Sequence, residues 1–383
     1  MKRIILLLIF AVMLRASGAF AAKPIKIGCI DSLTGDLATY GIASVNMARL
    51  AVNDINKNGG ILDRKIELIA YDTKSNGKDA IKAVLRMIEK DKVCAIIGSN
   101  ASSINIATAP VVNEKKIPQI ATLATNTFVT VDANGKVRPY SFRICYTDPY
   151  QGMLAASFAY GDLRKKKAAV LYNIGSDYAV QLTQCFTDRY EMLGGTITAK
   201  ETFRAGEYNF RTQLEKIKQS GAELLFLPGM GKDMAEAVKQ TKRLGLKLAI
   251  LGGDGYSDFM IDEVGAAMKG TYWISHTYRD DPSVKKLLEH YKEAYKADCR
   301  EFINAVMTHD TMIWLADAIK RAGKAEGEAI AKALAETKNL ALTHAYLTID
   351  PKTHDPFGKE GIILKVGDNM KTTLYKKITL TSE

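Results

Sequence analysis

The stretch IKIGCIDSLTGDLATYGIASVNMARLAVNDINKNGGILDRKIELIAYDTKSN, residues 25–76, decides the fold of this 383-residue chain. Apolar runs at 25–30 and 66–71 flank a segment in which apolar side chains from 45 to 55 recur at helical spacing. A Gly-Gly pair at 59–60 ends that helix. The stretch therefore predicts a strand, a helix and a second strand, which is the repeating unit of a parallel sheet.

The same alternation fills most of the chain. Further strand-like runs lie at 93–98, 118–121, 165–172, 196–203, 222–227 and 248–253. The pattern starts afresh after Arg143, and a helical region at 282–338 is followed by a β-like tail at 345–350 and 361–366. This order predicts an α/β protein with two doubly wound parallel-sheet units. Because no linker-like segment separates them, we expect a cleft between the units and several chain crossings as a hinge.

The first 21 residues have the features of a secretory signal peptide. Lys2 and Arg3 precede an apolar run at 4–14, and Ala19-Phe20-Ala21 provides a small-x-small cleavage pattern. The run is shorter than the roughly 20 residues of a membrane span, so a permanent anchor is the less favoured alternative. We therefore expect cleavage near Ala21 and an unlipidated protein in the periplasm.

Composition argues against several classes of function. The net charge of +11 is spread along the chain, and its longest basic cluster, 164–167, lacks the aromatic residues of a nucleic-acid site. Five cysteines form an odd number without CxxC spacing, which favours small buried thiols over disulfides or metal ligands. For each of the five histidines we expect a surface or capping role. We expect no metal and no cofactor, and no nucleic-acid partner.

Enzyme motifs are also missing from the sequence. No GxGxxG follows the first strand, no HExxH or GxSxG is present, and Gly229-Met-Gly-Lys232 lacks the Ser/Thr and upstream glycine of a phosphate loop. An enzyme is therefore only a remote alternative.

Residues 25–76 resemble the start of the periplasmic leucine/isoleucine/valine-binding proteins, in which a strand, an S/T-G-x-x-A-x-Y-G turn, a helix ending in D-I-N-x-x-G-G and a strand ending in Y-D recur. Blocks at 96–126, 203–229 and 251–259 resemble later parts of the same family. The resemblance extends over most of 25–350. It implies a type I periplasmic-binding-protein fold, with two lobes joined by three crossings, that serves an ABC importer.

The resemblance also implies a division of the chain. After the signal peptide at 1–21, one lobe would contain 23–143 and 277–349. The other lobe would contain 144–276 and 350–383.

Two loops offer opposite electrostatics for a zwitterionic ligand. The strand at 93–97 runs into a helix that begins near 101–103, where backbone N–H groups and the helix dipole favour an anion. Ser102 can add its hydroxyl, although it could instead cap its own helix. Asp254, in the turn GGDG after an apolar strand, could pair with an ammonium group, although such turns are common.

The family match implies further site residues. Ser102 aligns with the carboxylate-binding serine, Thr125 with a threonine that touches both ends of the amino acid, and Leu123 with a residue that acts through its backbone carbonyl. Branched-chain members carry Glu where this chain has Asp254. Side-chain selectivity would come from Tyr40, Tyr178 and Met230, with Tyr256 as a weaker candidate; Met230 replaces a tyrosine of the branched-chain members.

We therefore expect a monomeric solute-binding protein of an ABC importer that binds a small amino acid with an aliphatic or branched side chain. Its partners would be that ligand and the transporter's membrane permease. The alternatives are the same fold with another small carboxylate or amide as ligand, and a binding protein linked to a sensor.

Overall fold

The computed structural model describes residues 23–379, and its core is built on two separate β-sheets. The predicted signal peptide and its cleavage site lie outside the described residues. The first sheet has five parallel strands in the order β2-β1-β3-β4-β5. These strands are β1 (Ile25–Asp31), β2 (Ile66–Asp72), β3 (Ala95–Ile97), β4 (Gln119–Ala121) and β5 (Ser141–Arg143).

The second sheet has seven strands in the order β14-β13-β10-β9-β8-β6-β7. Its members are β6 (Lys167–Asn173), β7 (Thr196–Phe203), β8 (Leu224–Leu227), β9 (Ala249–Gly252), β10 (Tyr272–Ser275), β13 (Gly361–Val366) and β14 (Thr372–Ile378). The pairs from β7 to β10 are parallel, whereas β13 and β14 are antiparallel to their neighbours. A small hairpin consists of β11 (Leu340–Ala341) and β12 (Tyr346–Leu347).

Helices fill the connections between strands. They are α1 (Ala38–Lys57), α2 (Gly77–Arg86), α3 (Ser102–Lys115), α4 (Asp148–Ser157), α5 (Asp177–Met192), α6 (Arg211–Gln219), α7 (Gly231–Arg243), α8 (Phe259–Val264), α9 (Pro282–Tyr295), α10 (Phe302–Ala322) and α11 (Gly327–Ala335). Two of them, α2 and α4, continue into π-helical turns at Met87–Asp91 and Phe158–Asp162. Within residues 23–379, no helix has the length and apolar character that a membrane crossing requires.

The chain passes between the two sheets three times. It leaves the first sheet after β5, and it leaves the second sheet after β10. Helices α9 and α10 then pack against α1, and α10 also contacts β3. The chain finally returns to the second sheet as β13 and β14. Two α/β halves joined by three passages confirm the predicted fold class.

The centre of the first sheet explains why residues 25–30 are almost continuously apolar. Ile27 and Cys29 lie in the core that contains α1, while Ile30 packs in the cluster under α2 and α3 on the opposite face. Both faces of β1 are therefore covered. Strand order reverses between β1 and β3, so their carboxyl ends open the crevice in which doubly wound sheets bind ligands.

Some elements differ from the sequence prediction. The helical region predicted at 282–338 is divided into three helices, and the tail at 345–350 contributes only the short strand β12. Strands β5, β10 and β14 were not predicted, and neither was α4. The predicted parallel sheet of the second half also gains an antiparallel edge, because β13 and β14 return as a hairpin.

All five cysteines are free thiols. Cys29, Cys145 and Cys299 are buried, and Cys94 and Cys185 are half-buried. Burial raises the pKa of Cys145 and Cys299 to about 12. The cysteines thus behave as small protonated side chains, as the sequence predicts.

Candidate functional site

The carboxyl ends of the two sheets face each other across a small cavity. Its volume is about 10 Å³, which is room for one water molecule at most. The lining residues come from both halves and are Asn100, Ser102, Leu123, Tyr178, Met230, Asp254 and Gly255. Five of the seven predicted site residues therefore meet here, while Tyr40 and Thr125 lie outside this lining. An amino acid could enter only if the two halves moved apart.

The first wall of the cavity is the start of α3. Helix α3 begins at Ser102, and its N-cap, Ala101, makes no side-chain capping hydrogen bond. The Ser102 hydroxyl does not cap this helix; it accepts a hydrogen bond from the backbone N–H of Asn126 at 3.2 Å. The first-turn N–H groups have no partner within the helix, so this wall favours a carboxylate.

The loop before α3 is held by a buried carboxyl at the end of β1. The Ser99 hydroxyl donates to Asp31 Oδ1 at 3.0 Å, and burial raises the pKa of Asp31 to about 6. Gly98 has a φ of +94°, and a Cβ at this position would lie 2.0 Å from the carbonyl oxygen of Ile30. Glycine is therefore required for the chain to turn from β3 toward the cavity.

The second wall of the cavity carries a carboxylate with a partner that the sequence did not reveal. Asp254 is 3% exposed, and its Oδ2 lies 2.8 Å from Nε2 of His276. The His276 ring stacks on Tyr146 at a centroid distance of 3.7 Å. Burial lowers the pKa of His276, although Asp254 offsets part of this effect. A neutral imidazole therefore orients the Asp254 side chain without adding a positive charge.

Gln151 fixes the backbone of this acidic turn. It is buried, and its Oε1 accepts from the backbone N–H of Asp254 at 2.8 Å and from the Tyr178 hydroxyl at 3.4 Å. Tyr178 Oη in turn accepts from the N–H of Gly255 at 3.4 Å. Helices α4 and α5 thus position both Asp254 and Tyr178 on the cavity wall. No local sequence signal marks Gln151, because its partners lie far away along the chain.

Tyr40 connects the two halves. Its hydroxyl donates to the carbonyl oxygen of Gly255 at 2.7 Å and accepts from the N–H of Gly231 at 2.7 Å. Its ring contacts Phe259 edge-on at 5.6 Å. Tyr40 comes from α1 of the first half, while all three partners belong to the second half. The hydroxyl therefore joins the halves in this closed arrangement.

Thr125 and Tyr256 are also buried away from the cavity. The backbone carbonyl of Thr125 accepts from the N–H of Asp148 at 2.9 Å at the start of α4. Burial raises the pKa of Asp148 well above its usual range. The Tyr256 ring lies 6.1 Å from that of Trp273. Both predicted residues thus lie outside the lining of the inner cavity.

A larger cavity of about 460 Å³ lies toward the solvent, on the other side of Ser102, Tyr178 and Met230. Asp36 comes from the first half and Asp233 from the second. Burial raises the pKa of Asp233 to about 6, and the nearby Asp36 carboxylate adds to this effect. Lys232 lines the same cavity, so its charged lining residues are two carboxyl groups and one ammonium group.

The expected surface or capping role is wrong for two histidines. His276 and His354 are only 4% and 5% exposed. His354 stacks on Phe142 at 4.1 Å, and its Nδ1 lies 3.0 Å from the carbonyl oxygen of Ser141. Each ring has a flat aromatic partner from a distant part of the chain, which histidine spacing alone cannot reveal.

Comparison with known proteins identifies the family. Residues 24–360 match the family model described as periplasmic binding protein. The chain belongs to the periplasmic binding protein family.

This periplasmic binding protein is similar to characterised members along most of its length. It is 26% identical over 324 residues to the leucine-, isoleucine-, valine-, threonine-, and alanine-binding protein of Pseudomonas aeruginosa, covering 83% of this chain and 84% of that protein. A leucine-binding protein from Thermotoga maritima superposes with a TM-score of 0.85 at 30% identity, covering 93% and 99% of the two chains.

A third similarity is to a branched-chain amino acid transporter substrate-binding protein from Streptococcus pneumoniae, solved with isoleucine. Its TM-score is 0.84 at 27% identity, and the alignment covers 93% of this periplasmic binding protein and 99% of that chain. The predicted type I fold and the predicted family are therefore confirmed. The relatives are named as amino-acid-binding or substrate-binding proteins, and the family is described as periplasmic binding protein.

Proposed function

We propose that this protein captures a small amino acid between its two halves and delivers it to the membrane permease of an ABC importer. The observation that carries the proposal is the inner cavity, where a helix start from one half faces a carboxylate from the other. The ligand's carboxylate binds at the start of α3 with Ser102, and its ammonium group binds Asp254. The amino-acid ligands named for three relatives support the same ligand class.

Unpaired buried polar atoms near the cavity favour the binding of a polar ligand. Within residues 23–379, Gln151 Nε2 and His276 Nδ1, which belong to the two side chains that contact Asp254, are buried without a hydrogen-bond partner. Buried polar groups cost free energy unless they are paired, so unpaired atoms next to the acidic wall favour a ligand with its own donors and acceptors. Leu123 and Met230 supply the apolar part of the lining.

Closure is the signal that the permease reads. The ligand contacts residues of both halves, so its binding favours the closed arrangement over the open one. We assign 23–143 and 277–349 to one lobe, and 144–276 and 350–383 to the other. Tyr40 and Thr125 act in this scheme by supporting the closed site. We further propose that the protein acts as a monomer in the periplasm after cleavage near Ala21, and that it binds no nucleic acid.

Thermal denaturation with a panel of small molecules tests the ligand class. We expect one or more α-amino acids to raise the melting temperature of the mature protein. Ligand at 100 times its dissociation constant adds about 2.7 kcal/mol to the free energy of unfolding, a shift that is readily measured. The panel includes aromatic carboxylates and small amides. A response to those compounds alone, with none to any amino acid, would contradict the proposal.

Small-angle scattering on the same samples tests closure. We expect the radius of gyration to fall when the responding amino acid is added to saturation. Binding without compaction would contradict the role of the two halves.

A further inference from the structure

Asn100 is a buried asparagine whose side-chain amide has no partner. It is 2% exposed, and neither Oδ1 nor Nδ2 makes a hydrogen bond within residues 23–379. It lies in the loop between β3 and α3 and lines the inner cavity together with Ser102, Met230 and Asp254. A buried amide that loses water without gaining a partner opposes folding, so its retention at this place needs a reason.

The nearby Asn105 shows that this region of the chain can satisfy a buried asparagine. Its Nδ2 donates to the carbonyl oxygens of Ser99 and Ala101 at 2.9 and 2.8 Å. Its Oδ1 accepts from the N–H of Ser99 at 3.2 Å and from Gln119 Nε2 at 2.9 Å. The amide of Asn105 is therefore structural. Asn100, which points into a cavity instead, is left for something outside the chain.

The other walls of the cavity are already assigned to the two charged ends of an amino acid. The start of α3 suits the carboxylate, and Asp254 suits the ammonium group. Asn100 and Met230 are then left for the ligand's side chain. A primary amide has both donors and acceptors, and a thioether offers an apolar, adaptable surface. Together they suit a short carbon stem that carries an uncharged hydrogen-bonding group.

We infer that Asn100 selects amino acids whose side chain carries a hydroxyl or amide group over apolar amino acids of the same shape. This inference rests on the proposed function and narrows its ligand class, because the sequence alone pointed to aliphatic side chains. An apolar side chain would leave the Asn100 amide buried and unpaired. A site built around a hydrogen bond discriminates strongly against the analogue that lacks it.

Two pairs of near-isosteric amino acids test the inference on the unaltered protein. Threonine and valine differ by hydroxyl against methyl, and asparagine and leucine differ by amide against isopropyl. Calorimetry is expected to show the polar member of at least one pair binding about ten-fold tighter or more. Equal affinities within both pairs, or tighter binding of valine and leucine, would overturn the inference.

Asn100→Leu locates the selectivity at this residue. The variant removes both polar atoms at similar volume, so the preference within the responding pair is expected to reverse or disappear. Asn134→Leu, in an exposed turn, is the matched control and is expected to leave the ratio unchanged. An equal loss of affinity for both members of the pair would overturn the inference, because Asn100 would then contact the backbone part of the ligand. Should Asn100→Leu fail to fold, the affinity ratios of the unaltered protein for the two amino-acid pairs still test the inference.

The two proposals can fail separately. If no amino acid binds at all, the proposed function fails. If amino acids bind but the polar and apolar members of each pair bind with equal affinity, only the role of Asn100 fails.

Discussion

Oδ2 of Asp254 lies 2.8 Å from the imidazole Nε2 of His276, and both side chains are almost fully buried. The histidine comes directly after β10, while Asp254 follows β9, so neighbouring strands deliver the pair to the same sheet edge. Because burial keeps His276 neutral near pH 7, the imidazole holds the carboxylate in place but does not cancel a negative charge. The pair is thus an oriented acceptor for a cationic group.

Loss of the Asp254 charge is expected to weaken amino-acid binding. Asp254→Asn, and more strongly Asp254→Ala, would leave a buried ammonium group without its counter-charge, at a cost of about 2–5 kcal/mol. Isothermal calorimetry with the amino acid that responds in the thermal panel measures the effect. Asp280→Asn, on an exposed residue, is the control. Unchanged affinity in Asp254→Asn would remove this residue from the site.

Tyr40→Phe is expected to lower the affinity of the protein for every ligand by a similar factor. The change removes the hydroxyl that joins Gly231 and Gly255 to α1, so it raises the free energy of the closed form by about 1–3 kcal/mol. Affinities for two different amino acids would fall together, whereas Tyr346→Phe, on an exposed ring, would change neither. A change confined to one ligand would instead make Tyr40 a selectivity residue, as the sequence predicted.

Glu301 is expected to make the protein less stable as the pH rises toward 8. Burial raises the pKa of this carboxyl to about 8, although a hydrogen bond from Asn304 Nδ2 lowers it in part. The unfolded chain releases the proton near pH 4.5. Between these values the folded state binds more protons, so the free energy of unfolding falls by at most about 1.4 kcal/mol per pH unit.

Denaturant unfolding of the wild type and Glu301→Gln at pH 6.5 and pH 8 measures this slope. The glutamine cannot ionise, so the variant is expected to lose less stability than the wild type over this interval. Glu293→Gln, on an exposed residue, is expected to follow the wild type. Parallel profiles for Glu301→Gln and the wild type would mean that Glu301 is ionised throughout this range.

Arg143→Lys is expected to destabilise the protein where the chain leaves the first sheet after β5. The buried guanidinium pairs with Asp355 at 2.5 Å and donates to the carbonyl oxygens of Ala124 and Asn126 at 2.9 and 2.8 Å. A lysine keeps the charge but cannot reproduce this fork, so we expect a loss of about 3 kcal/mol in the free energy of unfolding. Arg164→Lys, in an exposed loop, is the control; equal stabilities would contradict the role of the fork.

The sequence predicted the fold where apolar runs were long. Strands β1 and β3 are buried along almost their whole length, which produces apolar runs that are visible without a structure. Strands β5 and β10 were missed because they are short and end in polar residues, Arg143 and Ser275, whereas the equally short β3 and β8 are wholly apolar. In addition, β5 ends in a charged residue, Arg143, whose burial depends on a partner 212 positions away.

The candidate site was predictable only in part. Ser102 and Asp254 stand just after strands, at the edge where parallel sheets bind ligands, so their positions carry a signal. Asn100 has the same signal, because it is one of two polar residues, with Ser99, between β3 and α3. Gln151 has none, since it reaches Asp254 through the tertiary fold from 103 positions away. His276 also follows a strand, but that strand, β10, was not predicted.

The free cysteines affect how the protein reaches its native state. No disulfide joins any two of its five cysteines, so assembly of the two halves does not wait for an oxidant or an isomerase. Burial holds these thiols in the protonated form, which reacts slowly with disulfides. Cohesion of this chain therefore depends on packing and polar contacts alone, and reducing agents should leave its melting behaviour unaltered.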